Sequence, residues 1–215
     1  MPASDLLLAS FLAHWSGRVA RTTINNWLAG LRFWHIFNGA PWNGGDLVRT
    51  VCKTVTKEVP QSSKRDRRHP VTLEHMHTLR AGLDLSNAFD AAVYACACVA
   101  FWSICRLGEV VIPSSGQFNT RYHARRDAPL RFHRLPGGSE YATLHIPWTK
   151  TTHSEGADIV ISSIDDPTNP IIALRHHMSA NCAVPNDAPL FAFETHNGGW
   201  VPLTRGWFLE RCNEI

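Results

Sequence analysis

The chain has 215 residues, 44% of them hydrophobic and 18% charged, with a formal net charge of +3. That length and apolar content suit one large globular domain or two unequal ones. The longest uncharged run, Ala91 to Cys105, is shorter than the roughly 20 residues a membrane span needs, and "MPASDLLLASFLAHW" lacks the basic flank of a signal peptide. Six cysteines without a CxxC pair, three of them inside one apolar stretch, suit a reducing, intracellular compartment.

In chain order, "SDLLLASFLAHW" reads as a first helix with Ser4 as its N-cap. The second is expected from Arg21 to Asn38, where Ile24, Trp27, Leu28, Leu31, Trp34 and Phe37 make a helical stripe and Gly39 and Pro41 mark the stop. "GGDLVRTVCKTVTKEV" supplies a third. These predict a small helical domain over residues 1–60. Residues 1–70 hold ten Lys/Arg against four Asp/Glu, while the remainder holds eleven against fourteen. The sharpest basic cluster is "QSSKRDRRHP" at 61–70, where Lys64, Arg65, Arg67 and Arg68 face only Asp66. Such a segment reads either as a plain solvated linker or as one that lies along a phosphate backbone.

Beyond Pro70 a second domain, 71–215, is expected. It opens with a helix capped by Thr72 and a central apolar helix running from Ser86 to near Arg106. Strands are predicted at 130–135, 141–152 and 157–164, forming a short antiparallel sheet, with Lys150 where the second strand gives way to the turn. A helix capped by Thr168 or Asn169 follows, with Pro170 in its first turn, then the apolar "APLFAF", then a last helix capped by Thr204. That last helix lacks a C-cap signal and reads as cut rather than finished. The fold class is therefore mostly α with a small antiparallel β-sheet (α+β).

Two features carry chemistry. Arg106 and Glu109 stand three apart at the end of the uncharged run. On one helix face the carboxylate would hold the guanidinium and leave other N–H donors free for a phosphate; alternatively Arg106 is a charge at a helix C-terminus, favoured by the helix dipole. A lysine at a hairpin tip such as Lys150 is, on its own, an edge-protecting solvated charge. The twelve histidines include "HMH" at 75–77 and "HH" at 176–177, spacings that do not aim two imidazoles at one ion, so no metal is expected.

This order of parts resembles the tyrosine recombinase (phage-integrase-like) family, in particular the recombinase-like proteins of fungal mobile elements. The carriers are "CRLGEVV" at 105–111, "IPWTKTTHSEGADIVI" at 146–161, "ALRHH", and "PLFAFETHNGGWVPLTRGWFLERCNEI" leading to the chain end. The resemblance implies a core-binding helical domain, a basic linker carrying Lys64, Arg65, Arg67 and Arg68, and the N-terminal part of a catalytic domain. It implies that Arg106 is the first catalytic arginine, buried in a dry site, Glu109 the acid that holds it, and Lys150 the general-acid lysine. The family's His-x-x-Arg box, its later His or Trp and its nucleophilic tyrosine would fall beyond Ile215, and none has a stand-in in the chain: Tyr94, Tyr122 and Tyr141 each read as structural. The expected function is DNA binding and recombination or integration through a phosphotyrosine in the intact family, with this chain inactive. A non-catalytic DNA-binding relic and a helical interaction module are the alternatives. The expected partner is double-stranded DNA, with a possible homo-oligomer on it, no membrane, no cofactor, and a nuclear location in a eukaryote.

Overall fold

A computed structural model of the chain describes residues 2–64 and 69–215. Arg65, Arg67 and Arg68 of the basic segment lie outside the described residues; Lys64 is exposed at the end of a 3-10 turn, Gln61–Ser63. The chain divides into two compact units, Met1–His69 and Pro70–Ile215. Its architecture is mixed: eight α-helices among the described residues, one three-stranded antiparallel sheet and one two-stranded sheet. No helix among them is long and apolar enough to cross a membrane.

The first unit is built from α1 (Asp5–His14), α2 (Arg21–Phe37) and α3 (Asp46–Val55). Ser4 caps α1 by accepting from the Leu7 amide at 3.2 Å, which satisfies one of the donors a helix start leaves unpaired. Leu8, Ala9, Leu12, Ile24, Val48 and Val55 form a core flanked by Phe11, Leu28, Leu31, Trp42 and Val51. His35 belongs to this buried face, one further helical step beyond Ile24, Leu28 and Leu31. Its Nδ1 donates to the Leu31 carbonyl at 2.7 Å and its Nε2 accepts from the Ala3 amide at 2.9 Å, tying the N-terminal segment down. The expected stripe is thereby corrected: Trp27, Trp34 and Phe37 are exposed. A 3.6-residue period turns them about 100° per step away from the buried line, and three short helices have no second layer to cover them.

In the second unit, α4 (Leu73–Gly82) starts at the Thr72 cap, and α5 (Ala88–Trp102) starts at Asn87, whose side chain accepts from the Phe89 and Asp90 amides. From Asp90 to Val99 every residue of α5 is buried, so this helix is apolar all round because it is covered all round. Asp90 is the exception and is met by Arg211, with Nε and Nη2 donating at 2.8 and 2.9 Å. Helix α6 (Leu107–Val110) follows. Strands β1 (Leu130–Arg134), β2 (Glu140–Ile146) and β3 (Ala157–Ser162) pair in that order. Leu144 stands opposite Leu130 and Ile159, so Ala142, Leu144 and Ile146 alternate onto the core face. Helix α7 (Pro170–Ala180), capped by Asn169, packs on α5, and a minimal hairpin of β4 (Phe193–Glu194) and β5 (Trp200–Val201) leads into α8 (Arg205–Asn213), capped by Thr204. All six cysteines are free.

Candidate functional site

The central helix stops earlier than its composition suggests. The Ser103 amide still reaches the Val99 carbonyl at 3.0 Å, but Ile104 then takes φ 53°, left-handed backbone that reverses the chain. Arg106 is therefore not at the end of the apolar helix. It is the extended residue immediately before α6, with φ −77° and ψ 135°. The backbone there is anchored from behind, since the Ile112 amide donates to the Leu203 carbonyl at 3.2 Å and the Arg205 amide to the Ile112 carbonyl at 2.8 Å.

Glu109 holds Arg106 twice. Its Oε1 accepts from Arg106 Nη1 at 2.9 Å, and its Oε2 accepts from the Arg106 backbone amide at 3.0 Å. The Glu109 side chain is only 11% exposed whereas that of Arg106 is 61% exposed, which corrects the expectation of a buried guanidinium. The carboxylate sits in the wall and the guanidinium projects from it; among the described residues its remaining N–H groups bond to nothing. Behind the pair the wall is apolar, with Cys105 and Leu107 against the core. Burial, then the neighbouring Glu109 charge, push the Cys105 thiol up to about 11, so it is no nucleophile near neutrality.

This corner is also where the described chain departs from comfortable geometry. Ile104 is a β-branched residue in the left-handed region, 91% exposed. Next to it, Ser103 Oγ is the one buried side-chain polar atom among the described residues with no partner. Backbone strain and an unsatisfied buried hydroxyl thus lie next to an arginine with spare donors.

Lys150 stands in the turn joining β2 to β3. The strand ends at Ile146, earlier than expected, because Pro147 cannot continue the ladder. The turn is closed by paired backbone bonds between Thr149 and His153, at 3.0 and 3.3 Å, and by the buried Thr149 hydroxyl, which accepts from the Thr152 amide at 3.1 Å and meets the Thr152 hydroxyl at 2.6 Å. His153 has φ 51°, the only non-glycine residue besides Ile104 with positive φ among the described residues. Lys150 itself is exposed and makes no hydrogen bond or ion pair among the described residues. The structure thus brings Arg106 and Glu109 together, while Lys150 is presented on a separate element, bonded to neither.

The spacing His-x-x-Arg occurs before Ile215 at His77–Arg80 and at His123–Arg126, but both strings precede the hairpin rather than following it, so neither stands in for the expected box. In the second, Arg126 is spent elsewhere. Its Nη2 donates to the carbonyls of Asn181 at 2.9 Å and Met178 at 3.4 Å, and Nη1 lies 3.5 Å from His177 Nε2. His177 is buried and neutral: Nε2–H donates to the Leu190 carbonyl at 3.1 Å, Nδ1 accepts from Asn181 at 3.1 Å, and burial lowers its pKa to about 4. Of the tyrosines, Tyr94 is buried, donates to the Pro167 carbonyl at 2.9 Å, and has its pKa raised, mainly by burial. Tyr141 stacks on His133 with ring centres 4.7 Å apart. Tyr122 is exposed and edge-on to Trp148, 6.1 Å between ring centres, two residues ahead of Lys150. Among the described residues no three His, Cys, Asp or Glu side chains converge as metal ligands. No protein-family model matches the chain, and no curated protein is significantly similar to it.

Proposed function

We propose that the chain is a tyrosine-recombinase-like DNA-binding protein, in which Met1–His69 is a core-binding unit with a basic segment and Pro70–Ile215 carries part of a phosphate-handling site. The observation that carries this reading is the Arg106–Glu109 pair, a guanidinium tethered through Nη1 by a sheltered carboxylate and otherwise open to solvent. That is the arrangement a bidentate phosphate contact needs, since the carboxylate orients the fork and the free edge meets the anion. The unpaired Lys150 ammonium and the surplus of Lys/Arg in residues 1–70 favour the same class of partner.

In this reading Arg106 binds the non-bridging oxygens of a DNA phosphodiester and steadies the charge they gain when the phosphorus becomes five-coordinate, with Glu109 positioning it. Lys150 donates the proton that the departing 5′ oxygen takes up. The attacking oxygen would come from a tyrosine. Tyr94 is sealed in the core and Tyr141 is stacked; Arg126, an arginine at His-x-x-Arg spacing, is committed to backbone carbonyls. These observations favour binding without strand cleavage by the 215-residue chain.

A gel-shift series on a 30-bp duplex at several salt concentrations tests the reading. Arg106→Ala should weaken binding and reduce the slope of log affinity against log salt by ~0.9, the value of one phosphate contact. A nicked suicide duplex should give no covalent adduct on a denaturing gel. Binding that ignores both Arg106 and salt would leave a helical interaction module as the better description, and an adduct lost in Tyr122→Phe would make the chain a complete nuclease with an unforeseen nucleophile.

A further inference from the structure

Away from Arg106, the second unit holds a cleft of about 800 Å³ between the start of α5, the β4 end and α8. Four carboxylates line it: Asp84, Glu194, Glu210 and Glu214. The one lining arginine, Arg211, is already spent, bidentate on Asp90 and 2.9 Å from Glu214 through Nη1. The cleft therefore carries a net negative charge in a protein whose overall charge is positive, with Asp84 accepting from Ser86, Glu194 from the Ala183 amide and Glu210 left unbonded among the described residues. Its floor is aromatic. Phe89 and Phe193 lie with ring centres 4.9 Å apart, Phe193 and Trp207 6.1 Å apart, and Trp207 is partly exposed.

We infer that this cleft is a docking site for a basic peptide, an arginine- or lysine-bearing segment of a partner protein. Carboxylates around an aromatic surface offer a cationic side chain both an ion pair and a π face, while its methylene stem covers apolar wall. The carboxylates do not converge, since no metal-ligand cluster forms among the described residues, and the volume exceeds what one ion fills. Glu214 is taken by Arg211, so Glu210, whose side chain is unbonded among the described residues, is the carboxylate left to pair with an incoming cation. The same negative field repels a phosphate backbone, so this cleft suits a protein segment rather than DNA, and the inference stands whether or not the DNA reading does.

The test is fluorescence anisotropy of the full chain with a labelled Arg-Gly repeat dodecapeptide, against a Glu-Gly dodecapeptide of equal length. The Arg-Gly peptide should bind and the Glu-Gly peptide should not. Glu210 is exposed and bonds to nothing among the described residues, so Glu210→Lys should weaken binding at least tenfold without altering the melting curve. Trp207→Ala should weaken it severalfold, and Arg106→Ala should leave it unchanged. The inference is overturned if the peptide fails to bind at millimolar concentration, binds Glu210→Lys and Trp207→Ala as tightly as the parent, is displaced one for one by magnesium, or is matched by the Glu-Gly peptide.

Discussion

Replacing Ile104 by glycine should stabilise the second unit, although it deletes a large apolar side chain. An L-residue in the left-handed region costs roughly 1–2 kcal/mol, and a β-branched one sits at the upper end. Ile104 is 91% exposed, so truncation forfeits almost no buried area. Against this gain stands the extra freedom glycine gives the unfolded chain, about 0.5–1 kcal/mol. The balance is a stabilisation of about 1–1.5 kcal/mol, or a rise of ~2–6 °C in Tm for a unit of this size. Ile104→Ala keeps its Cβ and so keeps most of the strain; its Tm should stay near the parent's. Thermal melts followed by circular dichroism read both. A glycine variant less stable than the parent by 1 kcal/mol or more, or an alanine variant equal to the glycine one, would refute a strained backbone at this corner. If the strain also serves to hold Arg106 toward a phosphate, the glycine variant should gain stability and lose DNA affinity together, because the corner is freed.

Stability should also fall with acid through His177. Its folded pKa, about 4, lies below the ordinary 6.5, so the unfolded state binds the extra proton first and stability drops as pH falls from about 6.5 toward 4. Between pH 6.5 and pH 5 the loss is about 2 kcal/mol at ~1.4 per unit, read by urea titration, and His177→Gln should flatten that slope. Asp90, whose pKa is lowered chiefly by Arg211, adds a loss in the same direction only at lower pH. Arg211→Ala should cost roughly 3–5 kcal/mol, because it strands a buried carboxylate; Asp90→Asn combined with Arg211→Met should recover much of that in the same denaturation assay. Replacing Lys64, Arg65, Arg67 and Arg68 together by alanine should flatten the salt dependence of DNA binding by roughly three to four units; an unchanged slope would remove the segment from the interface.

Much of the fold was legible in the sequence because local signals are short-range chemistry. Ser4, Thr72, Asn169 and Thr204 cap the helices they precede, and three antiparallel strands form in the expected order, the second of them stopping at Ile146 rather than 152. The Arg106–Glu109 pair was also readable, since three residues of chain leave the two groups little choice but to meet. What lay beyond sequence reasoning depended on neighbours distant in the chain. The period-3.6 stripe of α2 did not tell which part would be covered, so Trp34 and Phe37 came out exposed and His35 buried against the Ala3 amide, 32 residues away. The uncharged run into Cys105 read as one helix, but Ile104 breaks it, and only the anchoring of α6 to the start of α8 makes that turn necessary. Arg126 and Arg106 are both arginines in suggestive spacings. One is half-buried and bonded to carbonyls at the end of α7 and the other faces water, and composition cannot distinguish them, because what a guanidinium does is decided by which acceptors the rest of the chain brings within reach.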